Sequence, residues 1–262
     1  MRERERAVGF LCETYRRRVE RVEAHPWGEL VVTPSLPLVW DANFAIVAQW
    51  EGTAAELERE LERVQGEAGF EHRKAVLPDE ELAERLWPEI SAQGWEFASR
   101  YVVMAHRREP DRQAAEPVNV VEVGGEDWAH GRRAMIELEG YGSDPELVRQ
   151  LLELDSRLSR TIHVRHLAAV VDGEVAAFAG LYLDGAVAQV EDVATLPAYR
   201  NSGLARAVVL HATAEARRAG AELVFLVADE KDWPKELYAR LGFDAIGIEH
   251  IFGRSSRQHS VT

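Results

Sequence analysis

Cysteine and long apolar runs are scarce in this sequence. Its 262 residues include one cysteine, Cys12, which excludes an intramolecular disulfide and a zinc site built from several cysteines. This usage is consistent with a reducing compartment. No apolar run approaches the roughly 20 residues that cross a bilayer, and the charged start MRERERAVGF has no leader pattern. We therefore expect a cytoplasmic protein without a signal peptide and without a membrane partner.

Basic residues are in the minority. The chain has 31 Lys and Arg against 45 Asp and Glu, which gives a formal net charge of −14. This charge repels a polyphosphate backbone, so we expect no nucleic-acid partner and favour small or cationic ligands. With 46% hydrophobic residues, the chain is long enough for one large core or two ordinary ones.

The pattern along the chain divides it into two predicted domains, 1–115 and 116–262. The segment EPDRQAAEPV (109–118) separates them, because its two prolines and low apolar content are typical of a linker. The first half predicts an amphipathic helix over 3–24, a helix over 52–69, a strand over 72–77, a helix over 79–93 and a strand over 101–106.

The second half contains three β-rich segments joined by Asp172-Gly173 and Asp184-Gly185. Asp-Gly pairs favour the positive φ angles of type I′ turns, so these segments predict a three-stranded antiparallel meander. Around the meander we expect a strand at 118–123, helices at 128–139, 145–158, 203–219 and 234–240, and strands at 222–228 and after 243. Both halves repeat the order helix, strand, helix and strand, which indicates an internal duplication.

Residues 190–212, VEDVATLPAYRNSGLARAVVLHA, predict a strand that runs into a turn in which a helix begins. The first amides of a helix are unpaired and carry partial positive charge, so such a unit can bind a phosphate. Gly203 and Ala205 leave these amides uncovered, and Arg200 adds a forked cationic donor. Many similar turns bind nothing, so the turn alone leaves phosphate binding and a plain connection as alternatives.

The surroundings of this turn carry a family resemblance. The meander, the R-x-x-G-x-A turn, the following helix, the strand VFLVA and the segment ELYARLGF (236–243) together resemble the GCN5-related N-acetyltransferase (GNAT) superfamily over roughly residues 118–250. The resemblance implies an α+β fold with a mixed, mostly antiparallel sheet flanked by helices, in two tandem GNAT-like domains. In the first half, Trp50-Glu51-Gly52-Thr53 places a carboxylate where the phosphate turn would be, so we expect a degenerate half.

The resemblance implies acetyl-coenzyme A as co-substrate and no metal. The pyrophosphate would lie on the turn amides, and the pantetheine arm would pair with the backbone of Val193 and Thr195, provided that their strand splays from the next one. The expected coenzyme-binding residues are Val193, Ala194, Thr195, Arg200, Asn201, Ser202, Gly203, Leu204 and Ala205. An asparagine that many relatives have before the last helix is missing here, where the chain reads DEKDWP (229–234).

The reaction implied is direct attack of a neutral amine on the thioester. Tyr238 matches the family tyrosine that acts as general acid near the sulfur, and the alternative is a ring that only packs the core. Glu191 and Asp192 are adjacent on a predicted strand, so alternation places them on opposite faces. We favour Glu191 as general base, and the alternative is a carboxylate that only holds the substrate ammonium.

These features together predict an N-acetyltransferase that acts on a primary amine of a small molecule or peptide, with a homodimer as a candidate assembly. The alternative is a non-catalytic acyl-coenzyme A-binding sensor or interaction module. We expect His163, His166, His211 and Cys12 to be structural, because their spacing matches neither a metal site nor a nucleophile motif.

Overall fold

The computed structural model describes residues 2–112, 118–138, 140 and 142–255, which form two compact units. Unit 1 comprises the described residues of Met1–Phe10, Val103–Ala228 and Asp232–Ile246. Unit 2 comprises those of Leu11–Val102, Asp229–Lys231 and Gly247–Thr262. The predicted boundary between residues 115 and 116 lies outside the described residues and stays a prediction.

Helices and strands alternate along most of the chain. In chain order they are α1 (Glu3–Arg17), β1 (Arg21–His25), β2 (Gly28–Val32), β3 (Phe44–Val47), α2 (Ala54–Glu67), β4 (His72–Leu77), α3 (Glu80–Ala92), β5 (Phe97–His106), β6 (Val120–Val123), α4 (Gly125–Leu138), α5 (Pro145–Ser159), β7 (His163–Val171), β8 (Glu174–Asp184), β9 (Val187–Thr195), α6 (Leu204–Arg218), β10 (Leu223–Asp229), α7 (Pro234–Arg240) and β11 (Phe243–Ser255).

The sheet of unit 1 contains the predicted meander. Strands β6, β7, β8 and β9 pair in antiparallel fashion, and β10 then pairs with β9 in parallel. Helix α6 connects β9 to β10 and packs against β8 and β9. Its apolar residues recur at helical spacing and are buried, which explains why this segment is an amphipathic helix: Leu204, Val208, Ala212 and Ala216.

Unit 2 repeats the same order of pairing. Strands β1, β2 and β3 form an antiparallel meander, β4 pairs with β3 in parallel, and β11 pairs with β4 in antiparallel fashion. Helix α2 connects β3 to β4 and buries Leu57, Leu61 and Val64 in the hydrophobic core of this unit. The mixed α+β fold with a mostly antiparallel sheet is thus confirmed, and the predicted duplication is visible in both units.

The two Asp-Gly pairs form different turns. At the first, Asp172 (φ 51°) and Gly173 (φ 87°) are both left-handed, as the prediction of a type I′ turn requires. At the second, Asp184 still pairs with Val187, and Gly185 is the first loop residue with φ 58°. The second hairpin therefore turns one residue later than predicted, with glycine in the position that a type II′ turn favours.

The N-terminal prediction was wrong in part. The helix expected over 3–24 ends at Arg17, and Arg21–His25 form strand β1. Its residues pair with β2, so a tertiary contact outweighs the helical spacing of Val19 and Val22. Strands β2 and β3 were not predicted. Among the described residues, no helix is long and apolar enough to cross a bilayer.

Candidate functional site

An opening in the sheet of unit 1 lies between β9 and β10. The two strands pair only at their beginnings, through residues 187–189 and 223–225. Within the described residues no further pair joins them, although β9 continues to Thr195. The ladder between β9 and β10 therefore ends at Gln189, and residues 192–195 of β9 border an opening, which is the separation that the family resemblance requires.

A bulge interrupts β9 at the start of this opening. Glu191 pairs with Gly180 and Ala194 pairs with Phe178, so two residues of β9 lie opposite one residue of β8. Asp192 is the first of the two and has φ 53°, in the left-handed region. Asp is one of the few side chains that tolerate this conformation.

The bulge changes which residues of β9 direct their backbone N–H and C=O groups towards β8 and which direct them towards β10. Before it, the carbonyl of Ala186 accepts hydrogen bonds from the β10 side, from the amides of Glu222 (2.9 Å) and Leu223 (3.1 Å). After it, the amide of Leu196 donates to Ala176 at 2.9 Å, on the β8 side. Because backbone groups alternate along a strand, even-numbered residues face β10 before the bulge and β8 after it.

This reversal decides which backbone groups face the opening. By the same alternation, the backbone groups of Val193 and Thr195 face the opening, and the amide of Ala194 faces β8. The Thr195 hydroxyl is buried and has no hydrogen-bond partner among the described residues. The opening is thus lined by backbone groups, which a polar extended ligand would satisfy.

The turn after β9 leads to an uncovered helix end. The α6 N-cap is Gly203, which has φ 82° and provides no side-chain hydrogen bond to the first amides of the helix. Residues 200–203 are exposed. Arg200 donates from Nε to the Thr195 carbonyl at 3.3 Å, and the Ser202 hydroxyl donates to the Tyr199 carbonyl. Leu204 is buried, so it anchors the helix while the amides before it stay accessible.

Unit 2 has a different arrangement at the equivalent helix end. Thr53 caps α2, and its amide donates to Glu56 Oε2 at 2.9 Å in a capping box. The amide of Ala54 donates to Glu89 Oε2 at 3.1 Å. Carboxylates thus occupy this site, as the sequence predicted, but they come from Glu56 and Glu89, whereas the predicted residue was Glu51.

The two predicted catalytic residues lie close enough to influence each other. Tyr238 is only 7% exposed and lies on α7, with its ring centroid 6.4 Å from that of Phe243. Burial, followed by the Glu191 and Asp232 carboxylates, raises the pKa of the Tyr238 hydroxyl. Glu191 is half-buried and accepts a hydrogen bond from the Gln189 side chain. Tyr238 therefore keeps its proton at neutral pH.

Asp192 is held in a buried network that was not predicted. Its Oδ2 accepts a 2.8 Å hydrogen bond from the Tyr182 hydroxyl, and its Oδ1 lies 3.7 Å from an Arg132 Nη2. Arg132, on α4, also donates from Nε to Asp155 on α5 at 2.8 Å. Burial raises the pKa of Tyr182, and the Asp192, Asp155 and Glu191 carboxylates raise it further.

This network corrects the prediction of opposite faces. Strict alternation separates Glu191 from Asp192, but the bulge interrupts it, and both carboxylates act on Tyr182. One signal could have revealed the bulge, because an adjacent acidic pair is unusual inside an apolar strand. Arg132 and Asp155 carry no comparable signal, since only the fold brings α4 and α5 to this strand.

The remaining candidates have structural surroundings. Cys12 is buried and free, and burial raises the pKa of its thiol to about 12. The His166 ring stacks on Trp128 at 3.7 Å between centroids, and burial lowers its pKa to about 4. Among the described residues, no group of three or more metal-ligating side chains comes together.

Comparisons with known proteins agree with this geometry. Residues 131–243 match the model of the acetyltransferase (GNAT) family. A GCN5-related N-acetyltransferase from Kribbella flavida superposes with a TM-score of 0.66 at 21% identity, over 99% of this chain and 98% of that one. A functionally unknown conserved protein from Staphylococcus epidermidis gives a TM-score of 0.67 at 15% identity, with coverage of 90% and 94%.

A third solved structure has a tandem arrangement. A tandem GNAT protein from the clavulanic acid biosynthesis pathway gives a TM-score of 0.57 at 15% identity, with coverage of 79% of this chain and 70% of that one. At such identities the likeness shows the fold alone. No match to the chain was found among curated proteins.

Residues 131–243 therefore match the acetyltransferase (GNAT) family, and the preceding half has a GNAT-like fold. The family match of residues 131–243 supports acetyl transfer as the general activity.

Proposed function

We propose that this protein is an acetyl-coenzyme A-dependent N-acetyltransferase. It transfers the acetyl group from the thioester to a primary amine of a small molecule or peptide by direct attack. The observation that carries the proposal is the opening between β9 and β10, which leads to the uncovered N-terminus of α6. An extended, amide-containing arm with a pyrophosphate at one end matches these two features together.

The turn would hold the pyrophosphate. The amides from Arg200 to Ala205 include the first unpaired donors of α6, and the helix dipole favours an anion there. The N-cap, Gly203, provides no side-chain hydrogen bond to these amides. Asn201 (φ 63°) and Gly203 (φ 82°) are both left-handed, which bends the chain around the helix end. Arg200 and Ser202 line the same turn.

The edge of β9 along the opening would hold the pantetheine arm. The backbone groups of Val193 and Thr195 face the opening and can pair with the two amides of the arm as an added strand would. Ala194 lies between them, and its small side chain adds little bulk at this edge.

Glu191 and Tyr238 would manage the protons. An amine acceptor has a pKa of about 10 and is mostly charged at neutral pH, so Glu191 accepts a proton from it, directly or through water. The neutral amine then forms the C–N bond while the C–S bond breaks, and the nitrogen loses a second proton, which replaces the one that Tyr238 gives to the sulfur. The Tyr238 hydroxyl, kept protonated by its surroundings, donates to the departing sulfur.

Asp192 is less suited to the role of base. Its two oxygens are engaged by the Tyr182 hydroxyl and by the Arg132 guanidinium. Because both oxygens of Asp192 are engaged, Glu191 is the preferred general base. The formal charge of −14 favours a cationic acceptor at the encounter stage.

Coenzyme binding tests the proposal through Ala205, in the first turn of α6. Ala205→Glu places a negative charge where the pyrophosphate would lie, while an acidic residue in a first helical turn does not weaken the helix. Ala205→Gln is the control of matched size. At about 100 times Kd, acetyl-coenzyme A should stabilise wild type and Ala205→Gln by about 2.7 kcal/mol, and Ala205→Glu much less. If none of the three folded proteins responds, the proposal is wrong.

A further inference from the structure

The side chain of Asp192 has no assigned role in the reaction, yet it is tightly held. It lies at the bulge of β9, where its backbone is left-handed. The Tyr182 hydroxyl bonds one carboxylate oxygen at 2.8 Å, and Arg132 lies 3.7 Å from the other. The side chains of Asp192 and Arg132 are only 13% and 10% exposed. A strained backbone in such surroundings persists because its contacts hold it.

Gly180 is part of the same arrangement. It lies opposite Glu191, and a Cβ atom at Gly180 would come within 3.0 Å of Cε1 of Tyr182. The Tyr182 ring thus leans over a position without a side chain and reaches across to Asp192. A glycine, a tyrosine hydroxyl and an aspartate on two neighbouring strands are fitted to one another at the bulge.

The bulge has a functional consequence under the proposed function. After the bulge, the odd-numbered residues of β9 direct their N–H and C=O groups away from β8. The backbone groups of Val193 and Thr195 therefore face the opening. If β9 relaxed into regular pairing with β8, even-numbered residues would face the opening, and the Thr195 amide would turn towards β8. The backbone groups of Val193 and Thr195 would then no longer face the coenzyme.

We infer that Asp192 is a positioning residue, whose carboxylate, held by Tyr182 and Arg132, fixes the bulge that directs the Val193 and Thr195 backbones towards the coenzyme. The inference rests on the proposed function. Asp192 touches neither the coenzyme nor the reacting atoms in this account, and it acts through the backbone that follows it.

Two substitutions at Asp192 separate this role from a general loss of structure. Asp192→Asn keeps an oxygen for the Tyr182 hydroxyl and a side chain that tolerates a positive φ. Arg132 keeps its Asp155 partner in this variant, so no buried charge is left unpaired. Asp192→Ala removes the acceptor and favours relaxation of the bulge. Tyr182→Phe removes only the donor, and Ile136→Val, in the core of the same unit, is the control for modest destabilisation.

The first measurement is residue-resolved amide hydrogen exchange in the proteins without ligand. In wild type and Asp192→Asn, the Val193 and Thr195 amides should exchange faster than those of Ala194 and Leu196. In Asp192→Ala this order should be lost or inverted, with Tyr182→Phe intermediate. If Asp192→Ala keeps the wild-type order, the inference is overturned, whether or not the coenzyme binds.

The second measurement is the Kd of acetyl-coenzyme A by calorimetry. Asp192→Ala should bind at least about tenfold more weakly than Ile136→Val, while Asp192→Asn stays within about threefold of wild type. Equal affinities of Asp192→Ala and Ile136→Val would contradict the positioning role. Absence of binding in wild type would instead count against the proposed function, while the exchange pattern would still decide whether Asp192 fixes the bulge.

Discussion

The amide of Ala54 donates a 3.1 Å hydrogen bond to Oε2 of Glu89, so a carboxylate already lies on the first turn of α2. Thr53 and Glu56 form a capping box, whose side chains also bind backbone amides at this helix end. The equivalent end of α6 in unit 1 has a glycine N-cap without a side-chain hydrogen bond. Two helix ends at corresponding places in a duplicated fold thus differ in whether their amides are available.

We expect one coenzyme to bind per chain. The carboxylates at α2 repel a pyrophosphate and occupy its donors, so unit 2 should provide no second site. Calorimetric titration with acetyl-coenzyme A should give a stoichiometry of one. Thr53→Ala should lower the free energy of unfolding by about 1 kcal/mol and leave Kd unchanged. A stoichiometry of two would contradict this assignment.

Tyr238→Phe should separate acid catalysis from packing. Phenylalanine keeps the ring beside Phe243 and loses only the hydroxyl. If that hydroxyl donates to the departing sulfur, kcat should fall by about 10²-fold or more, while the thermal midpoint and the Kd of acetyl-coenzyme A change little. Steady-state kinetics with an accepted amine checks this, and an unchanged kcat would support the packing alternative.

Glu191→Gln should lower kcat most at neutral pH. Without a base, the reaction depends on the fraction of amine that is already neutral, so the defect should shrink as the pH approaches the pKa of the amine. A pH–rate profile of variant and wild type measures this. If Glu191 only holds the substrate ammonium, the variant should instead show a raised KM for the amine with kcat preserved.

The buried carboxyl of Glu249, in unit 2, should make stability depend on pH. Burial raises its pKa to about 7, although Lys74 and the Tyr15 hydroxyl act in the opposite direction. An unfolded glutamate titrates near ~4.3, so between the two values the folded state holds a proton that the unfolded state has lost. Stability contributed by this group therefore falls as the pH rises from about 4.3 to about 7.

Glu249→Gln isolates that contribution. Wild type should lose up to about 3 kcal/mol more than the variant between pH 5 and pH 8. Denaturant unfolding at the two pH values gives the comparison, and other titrating groups cancel because both proteins share them. Parallel pH dependences would show that Glu249 does not titrate in this range.

Much of the fold could be predicted because its local signals agree with its tertiary contacts. The spacing of Leu57, Leu61 and Val64 predicts α2, and Asp172-Gly173 predicts the first hairpin. The strand at Arg21–His25 could not be predicted, since pairing with β2 determines it. Helical spacing of two valines was the only local signal there, and it pointed to the wrong structure.

The uncovered helix end of the candidate site could be predicted because its motif is contiguous. The turn from Arg200 to Ala205 is a single segment whose small residues indicate uncovered amides. The Asp192 network was not predictable, because Tyr182, Arg132 and Asp155 come from three other elements. Alternation also misplaced Glu191 relative to Asp192, since a bulge adds a residue without changing the composition of the strand.

The most direct test of acetyl transfer is a turnover assay. Acetyl-coenzyme A is supplied with a panel of polyamines, sugar amines, amino acids and peptides, while free thiol is followed and products are identified by mass spectrometry. The account predicts amine-dependent thiol release with an acetylated amine as product, reduced strongly in Tyr238→Phe. If wild type binds acetyl-coenzyme A but releases no thiol with any amine, the protein is a coenzyme-binding module and the catalytic account is wrong.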